Sequence, residues 1–228
     1  MNLKVSIHQP HYLPWAPYIY KIIQSDVFVF LDDVQFDCSD YQHRNYISKG
    51  RNRLLLTIPV RHEHTFVNIN ESKIVNLYWK KKHLKSIFQF YNHERYFLDV
   101  YPLIKSLVTY SADNLADFNI NFVTRLLEHL NVNTKLVRSS NLHITSKKEE
   151  RVLDILMKLH ATTYLSGKES YFNYLNLSNF QNRDIDIKLI NYTFNSLYDK
   201  DSILKLLFSY SPDEIIEILN CNGKEENP

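Results

Sequence analysis

Two histidines three residues apart open the chemistry of this chain: His8 and His11, within Val5-Ser6-Ile7-His8-Gln9-Pro10-His11-Tyr12-Leu13-Pro14-Trp15. An imidazole titrates near neutrality, so His8 is a candidate catalytic base, with Gln9 beside it as a neutral donor and acceptor. Asp32, Asp33 and Gln35 follow the apolar run Val27-Phe28-Val29-Phe30-Leu31. Two adjacent carboxylates at that place cap a strand end, or suit a metal or a hydroxyl-rich ligand. Ser139-Ser140-Asn141 and Ser166-Gly167-Lys168 offer hydroxyls and backbone N–H groups for an oxyanion or a phosphate, although Ser140 and Asn141 serve equally well as helix caps.

The elements that must position these groups are short apolar runs at 3–8, 26–32, 134–138, 162–165 and 185–192, separated by helical patterns such as 15–24, 147–159 and 171–181. Repeated strand–helix–strand order predicts an α/β fold with a mostly parallel, Rossmann-like sheet and flanking helices. All four polar groups then converge on one sheet edge, where such folds bind ligands. Outside this frame we expect a polar segment at 33–50, a β-hairpin pairing 54–60 with 66–70 and a helical insertion at 76–130 in three pieces. Helices at 201–208 and 212–220 and a frayed tail at 222–228 complete one domain over 1–228.

Composition narrows the function classes. The 228 residues carry a net charge of +2, so no strong field points to nucleic acid or an anionic membrane. Three glycines are too few for a glycine-rich phosphate loop. Cys38 and Cys221 form no disulfide framework, and Cys38 reads as a plain thiol. With no apolar run long enough to cross a bilayer, the chain reads as cytoplasmic without membrane insertion. His62 and His64 sit two apart but lack a third ligand, so a solvated loop is favoured and no metal is assigned. Lys80-Lys81-Lys82 begins an amphipathic helix and reads as a solvated face, with docking of phosphate or an acidic partner as a second reading.

The first turn is similar to the His-x-Gly-His turn of nucleotidyltransferases and class I aminoacyl-tRNA synthetases, with Pro10 in place of the glycine. A fuller resemblance runs through Gln9-Pro10-His11-Tyr12-Leu13-Pro14-Trp15, Asp26 to Phe36, Arg44-Asn45 and Leu56-Thr57-Ile58-Pro59-Val60. It continues with Trp79 and His83, Ser139-Ser140-Asn141-Leu142, and Thr163-Tyr164-Leu165-Ser166-Gly167 with Tyr171. Through these the chain resembles the WbqC-like protein family, departing from it at Pro17-Tyr18-Ile19, where members usually carry Gly-Tyr-Phe.

The resemblance implies a bacterial enzyme of surface-polysaccharide (O-antigen) biosynthesis that transfers an amino acid such as glycine to the amine of a nucleotide-linked amino sugar. His8 would be the base, with Asp32 or Asp33 orienting it. Gln9, His11, Tyr12, Trp15, Gln35, Arg44, Asn45, His83, Ser139, Ser140, Ser166, Gly167 and Tyr171 would bind substrate, Arg44 and Asn45 as a diphosphate clamp. No cofactor is specified, and the aminoacyl donor is open between an adenylate, a charged tRNA and a carrier thioester. An ATP-dependent adenylylating enzyme and a non-catalytic nucleotide-sugar-binding module are the competing readings.

Overall fold

A computed structural model describes residues 2–61, 67–168, 171–172, 175–194 and 200–228. Its main sheet runs in the order β5-β2-β1-β6-β7-β8, from strands β1 (Lys4–His8), β2 (Val27–Phe30), β5 (Lys135–Arg138), β6 (Thr163–Gly167), β7 (Asp186–Tyr192) and β8 (Gly223–Glu226). The first five are parallel, as the strand–helix alternation predicts, and β8 is antiparallel to β7. Helix α1 (Ala16–Ile23) leads from β1 to β2, and α5 (Lys148–Lys158) leads from β5 to β6. The insertion holds the three expected helices, α2 (Tyr78–Tyr91), α3 (Phe97–Thr109) and α4 (Leu115–His129). Helix α6 (Leu177–Gln181) is shorter than the expected 171–181 helix, because Asn176 caps it by accepting the Ser178 N–H. Helices α7 (Leu204–Ser209) and α8 (Pro212–Asn222) follow. Among the described residues, no helix is long and apolar enough to cross a membrane.

The two-residue period of the strands separates two cores. Val5, Ile7, Val27 and Val29 face α5, whereas Phe28 and Phe30 join α1 and the inserted helices. His8 stands two residues beyond Ser6 and so shares the α1 face with it. Tyr12 and His83 lie in this larger core: both are buried, and their side chains meet at 2.8 Å. The His83 N–H goes to the Thr57 carbonyl, so its Nδ1 accepts from the Tyr12 hydroxyl. Burial holds the His83 pKa down at about 4.

The hairpin pairs different strands from those expected. β4 (Asn52–Thr57) joins β3 (Arg44–Lys49), which lies in the segment read as merely polar. Gly50, with φ of +56°, opens a two-residue loop that β-branched or bulky residues would strain. Val67 and Ile69 instead bond to residues 34–36. Phe66 and the His62/His64 loop lie outside the described residues.

The tail is not frayed. Residues 223–226 form β8, where Lys4 and Lys168 reach Glu225 and Glu226. Gly223 lies against the Tyr20 ring so closely that a Cβ would overlap it. Gly223→Ala should therefore lower stability by about 1–3 kcal/mol, and unchanged thermal unfolding would refute this contact.

His83 also makes stability depend on pH. The unfolded imidazole takes a proton below about 6.5, whereas the folded one does so only near 4. Between these values the unfolded state binds more protons, so acid favours unfolding. Stability should fall by up to about 3 kcal/mol over this window. H83Q should flatten the slope in calorimetry, and an equal slope in the variant would contradict the assignment.

Candidate functional site

The chain leaves β1 toward β2 and β5, then returns to β6 on the other side of β1. The topological switch point therefore lies between β1 and β6, and extending their register sets Gly167 level with His8. Here β1 ends and His8 turns toward α1. Its Nδ1 lies 3.1 Å from the Gln9 carbonyl, which only accepts, so Nδ1 carries the hydrogen and Nε2 keeps its lone pair. Burial, then the nearby His11 and Lys21, holds the His8 pKa well below its usual value. The imidazole is thus a neutral base at neutral pH.

Lys21 escaped the sequence reading. It lies on α1, 5% exposed, and its Nζ donates to the Ile7 carbonyl at 3.0 Å. Burial lowers its pKa to about 7. The available signal was a lysine within the apolar face of Tyr18, Ile19 and Ile22. His11 stands behind His8, the two rings edge to face at 4.5 Å, and is stacked on Tyr18. At 4% exposure it has almost no surface to offer a phosphate. Asp40 reaches within 3.8 Å of its Nε2, and Gln42 donates to the Gln9 side chain at 2.9 Å. The segment at 40–42 therefore packs directly over the β1 turn.

The two aspartates occupy the neighbouring strand end, within a polar network. Asp32 is buried, receiving Arg138 Nε at 2.9 Å, the Ser140 N–H at 3.0 Å and the Ser140 hydroxyl at 2.9 Å. The Ser139 hydroxyl is shared between Asp32 and Asp33. Asp33 pairs with Arg151, and Arg138 also holds Asp117. Ser139 and Ser140 are thus joined to the carboxyl groups as a unit. No described contact joins either aspartate to His8, so the expected orientation of the imidazole is made by the Gln9 carbonyl instead.

Other expected residues fall elsewhere. Asn45 is buried and donates to the Leu13 carbonyl at 2.6 Å, while Arg44 donates to the Ser39 carbonyl at 2.6 Å, so this pair is engaged in holding the chain. Trp15 stacks on Phe194. Gln35 bridges to Asn68, and Tyr171 packs against the α5-side core. Ser166 is buried with its hydroxyl on the Gly167 carbonyl, leaving Gly167 at the switch point itself. Cys38 is exposed. Among the described residues, no group of three or more His, Cys, Asp or Glu is placed to hold a metal ion.

Comparison with known proteins adds the lineage. A Mycobacterium tuberculosis protein, "Uncharacterized protein Rv1507c", is 27% identical over 166 residues, covering 72% of each chain. The sequence profile of the WbqC-like protein family matches residues 9–216, from the residue after His8 to the middle of α8. The chain belongs to the WbqC-like protein family.

Proposed function

We propose that this protein transfers an activated aminoacyl group to the amine of a nucleotide-linked amino sugar in bacterial surface-polysaccharide biosynthesis. The observation that carries this reading is the 3.1 Å contact of His8 Nδ1 with the Gln9 carbonyl at the end of the central strand, which leaves Nε2 as the acceptor. The amine nitrogen attacks the acyl carbon, forming an N–C bond and an oxyanion. His8 Nε2 accepts the proton from that nitrogen, and the bond to the donor's oxygen or sulfur breaks as the oxyanion collapses. A weak base suffices, because nitrogen in the tetrahedral adduct is far more acidic than a free ammonium.

The Asp32–Asp33–Arg138–Ser140 network carries as much negative as positive side-chain charge or more, which suits sugar hydroxyls better than a diphosphate. The diphosphate is assigned to the switch point, where Gly167 lets a ligand approach the backbone. The clamp expected of Arg44 and Asn45 is not retained. His11 and Tyr18 back the base without touching substrate.

Two outcomes test the reading. UDP- or dTDP-linked amino sugars at about 100 times Kd should stabilise the protein by about 2.7 kcal/mol. A shift with ATP but not with these sugars would favour the adenylylating reading. Once turnover is measured by the mass gain of the acceptor, His8→Ala should lower kcat by about 10²–10⁴-fold while leaving the sugar-induced shift in place. Because the His8 pKa is lowered, the acid limb of wild-type activity should fall below pH 6.5. Full activity in the variant would remove His8 from the mechanism.

A further inference from the structure

The chain is nearly neutral as a whole, yet its cations are not evenly spread. Residues 44–61 and 72–92 hold ten Lys and Arg residues and no Asp or Glu, although Arg53 among them pairs with Asp201. These two stretches build the hairpin and α2, and between them lies a groove of about 350 Å3. Its walls include Leu54, Leu55, Pro59, Tyr78 and Lys82. Tyr78 is 61% exposed, and Leu54 and Leu55 are more than one-third exposed. Trp79 also lines the groove, and its buried indole N–H has no hydrogen-bond partner among the described residues.

The backbone beside the groove is open as well. The Ile58 N–H bonds to the His43 carbonyl across the hairpin. By the two-residue period, Leu56 and Leu54 also turn their backbone groups to β3, while Thr57, Leu55 and Arg53 turn theirs away. The Thr57 carbonyl is accordingly taken by His83 of α2. The outward groups of Leu55 and Arg53 have no partner among the described residues.

We propose that the outer edge of β4 and the groove behind it dock an extended, acidic segment of a protein partner. Strand addition supplies main-chain hydrogen bonds at Leu55 and Arg53, the groove takes apolar side chains, and Lys82 of α2 meets carboxylates. The open strand edge, which pairs with main chain, and the leucine walls favour a polypeptide over RNA. This surface is distinct from the His8 site and does not depend on its chemistry.

The test uses the full chain and a fluorescein-labelled peptide of alternating valine and glutamate, measured by anisotropy. A valine–lysine peptide and an oligouridylate serve as comparisons. The acidic peptide should bind saturably and more weakly as salt rises, with the lysine peptide binding at least about tenfold more weakly. K82E should weaken it by about tenfold. Leu55→Pro removes an outward N–H that β3 does not use, and should abolish binding while circular dichroism stays unchanged. Should Leu55→Pro unfold the hairpin, K82E still decides the question. Equal binding of both peptides, no binding of the acidic one, or binding of oligouridylate alone would overturn the proposal.

Discussion

The structure depends on one constraint: the chain turns inside the protein after β1, and the backbone polar groups there must find partners away from water. Pro10 and Pro14 reduce the demand by removing two N–H groups. The carbonyls remain. Asn119 of α4 donates to the Pro10 and Gln42 carbonyls at 2.9 and 2.6 Å, and Asn45 of β3 donates to Leu13. Tyr18 and His8 share the Gln9 carbonyl, Ile203 N–H bonds to Pro14, and Tyr12 N–H bonds to Tyr41. The hairpin, the helical insertion and the C-terminal region are thus tied to one turn, through Gln9, Pro10, Tyr12, Leu13 and Pro14. An unsatisfied buried group costs about 1–3 kcal/mol, so losing several of these bonds would threaten the fold.

The same constraint sets the chemistry of His8. A carbonyl that must be satisfied takes the Nδ1 hydrogen, which leaves Nε2 as the acceptor. Burial, then the neighbouring His11 and Lys21, opposes protonation. Lys21 faces the same environment: the fall from its ordinary 10.5 to about 7 disfavours its charged form by roughly 5 kcal/mol. Its one hydrogen bond to the Ile7 carbonyl does not offset that burial.

The strands and their common edge were legible because apolar runs of fixed length alternate with helical patterns, and polar residues follow each run. Asp32, Ser139 and Ser140 were found this way, and the structure joins them. The partners that matter most to the turn were not legible. Asn119 is 109 residues from Pro10, and an asparagine inside a helix looks like a poor helix former until its acceptors are seen. Asn45 and His83 stood out as polar residues within a family pattern, which does not distinguish a ligand contact from a buried carbonyl partner. The β3 strand was missed because Tyr46 and Ile47 are its only large apolar residues, although Gly50 marked its turn.

The most direct test of this account is the protonation state of His8 by ¹⁵N NMR, assigned through a His8→Gln variant. The structure predicts a neutral ring at pH 6.5, with hydrogen on Nδ1, a free Nε2 and a midpoint well below 6.5. A hydrogen on Nε2, or a ring protonated at pH 6.5, would contradict the assignment of His8 as the base.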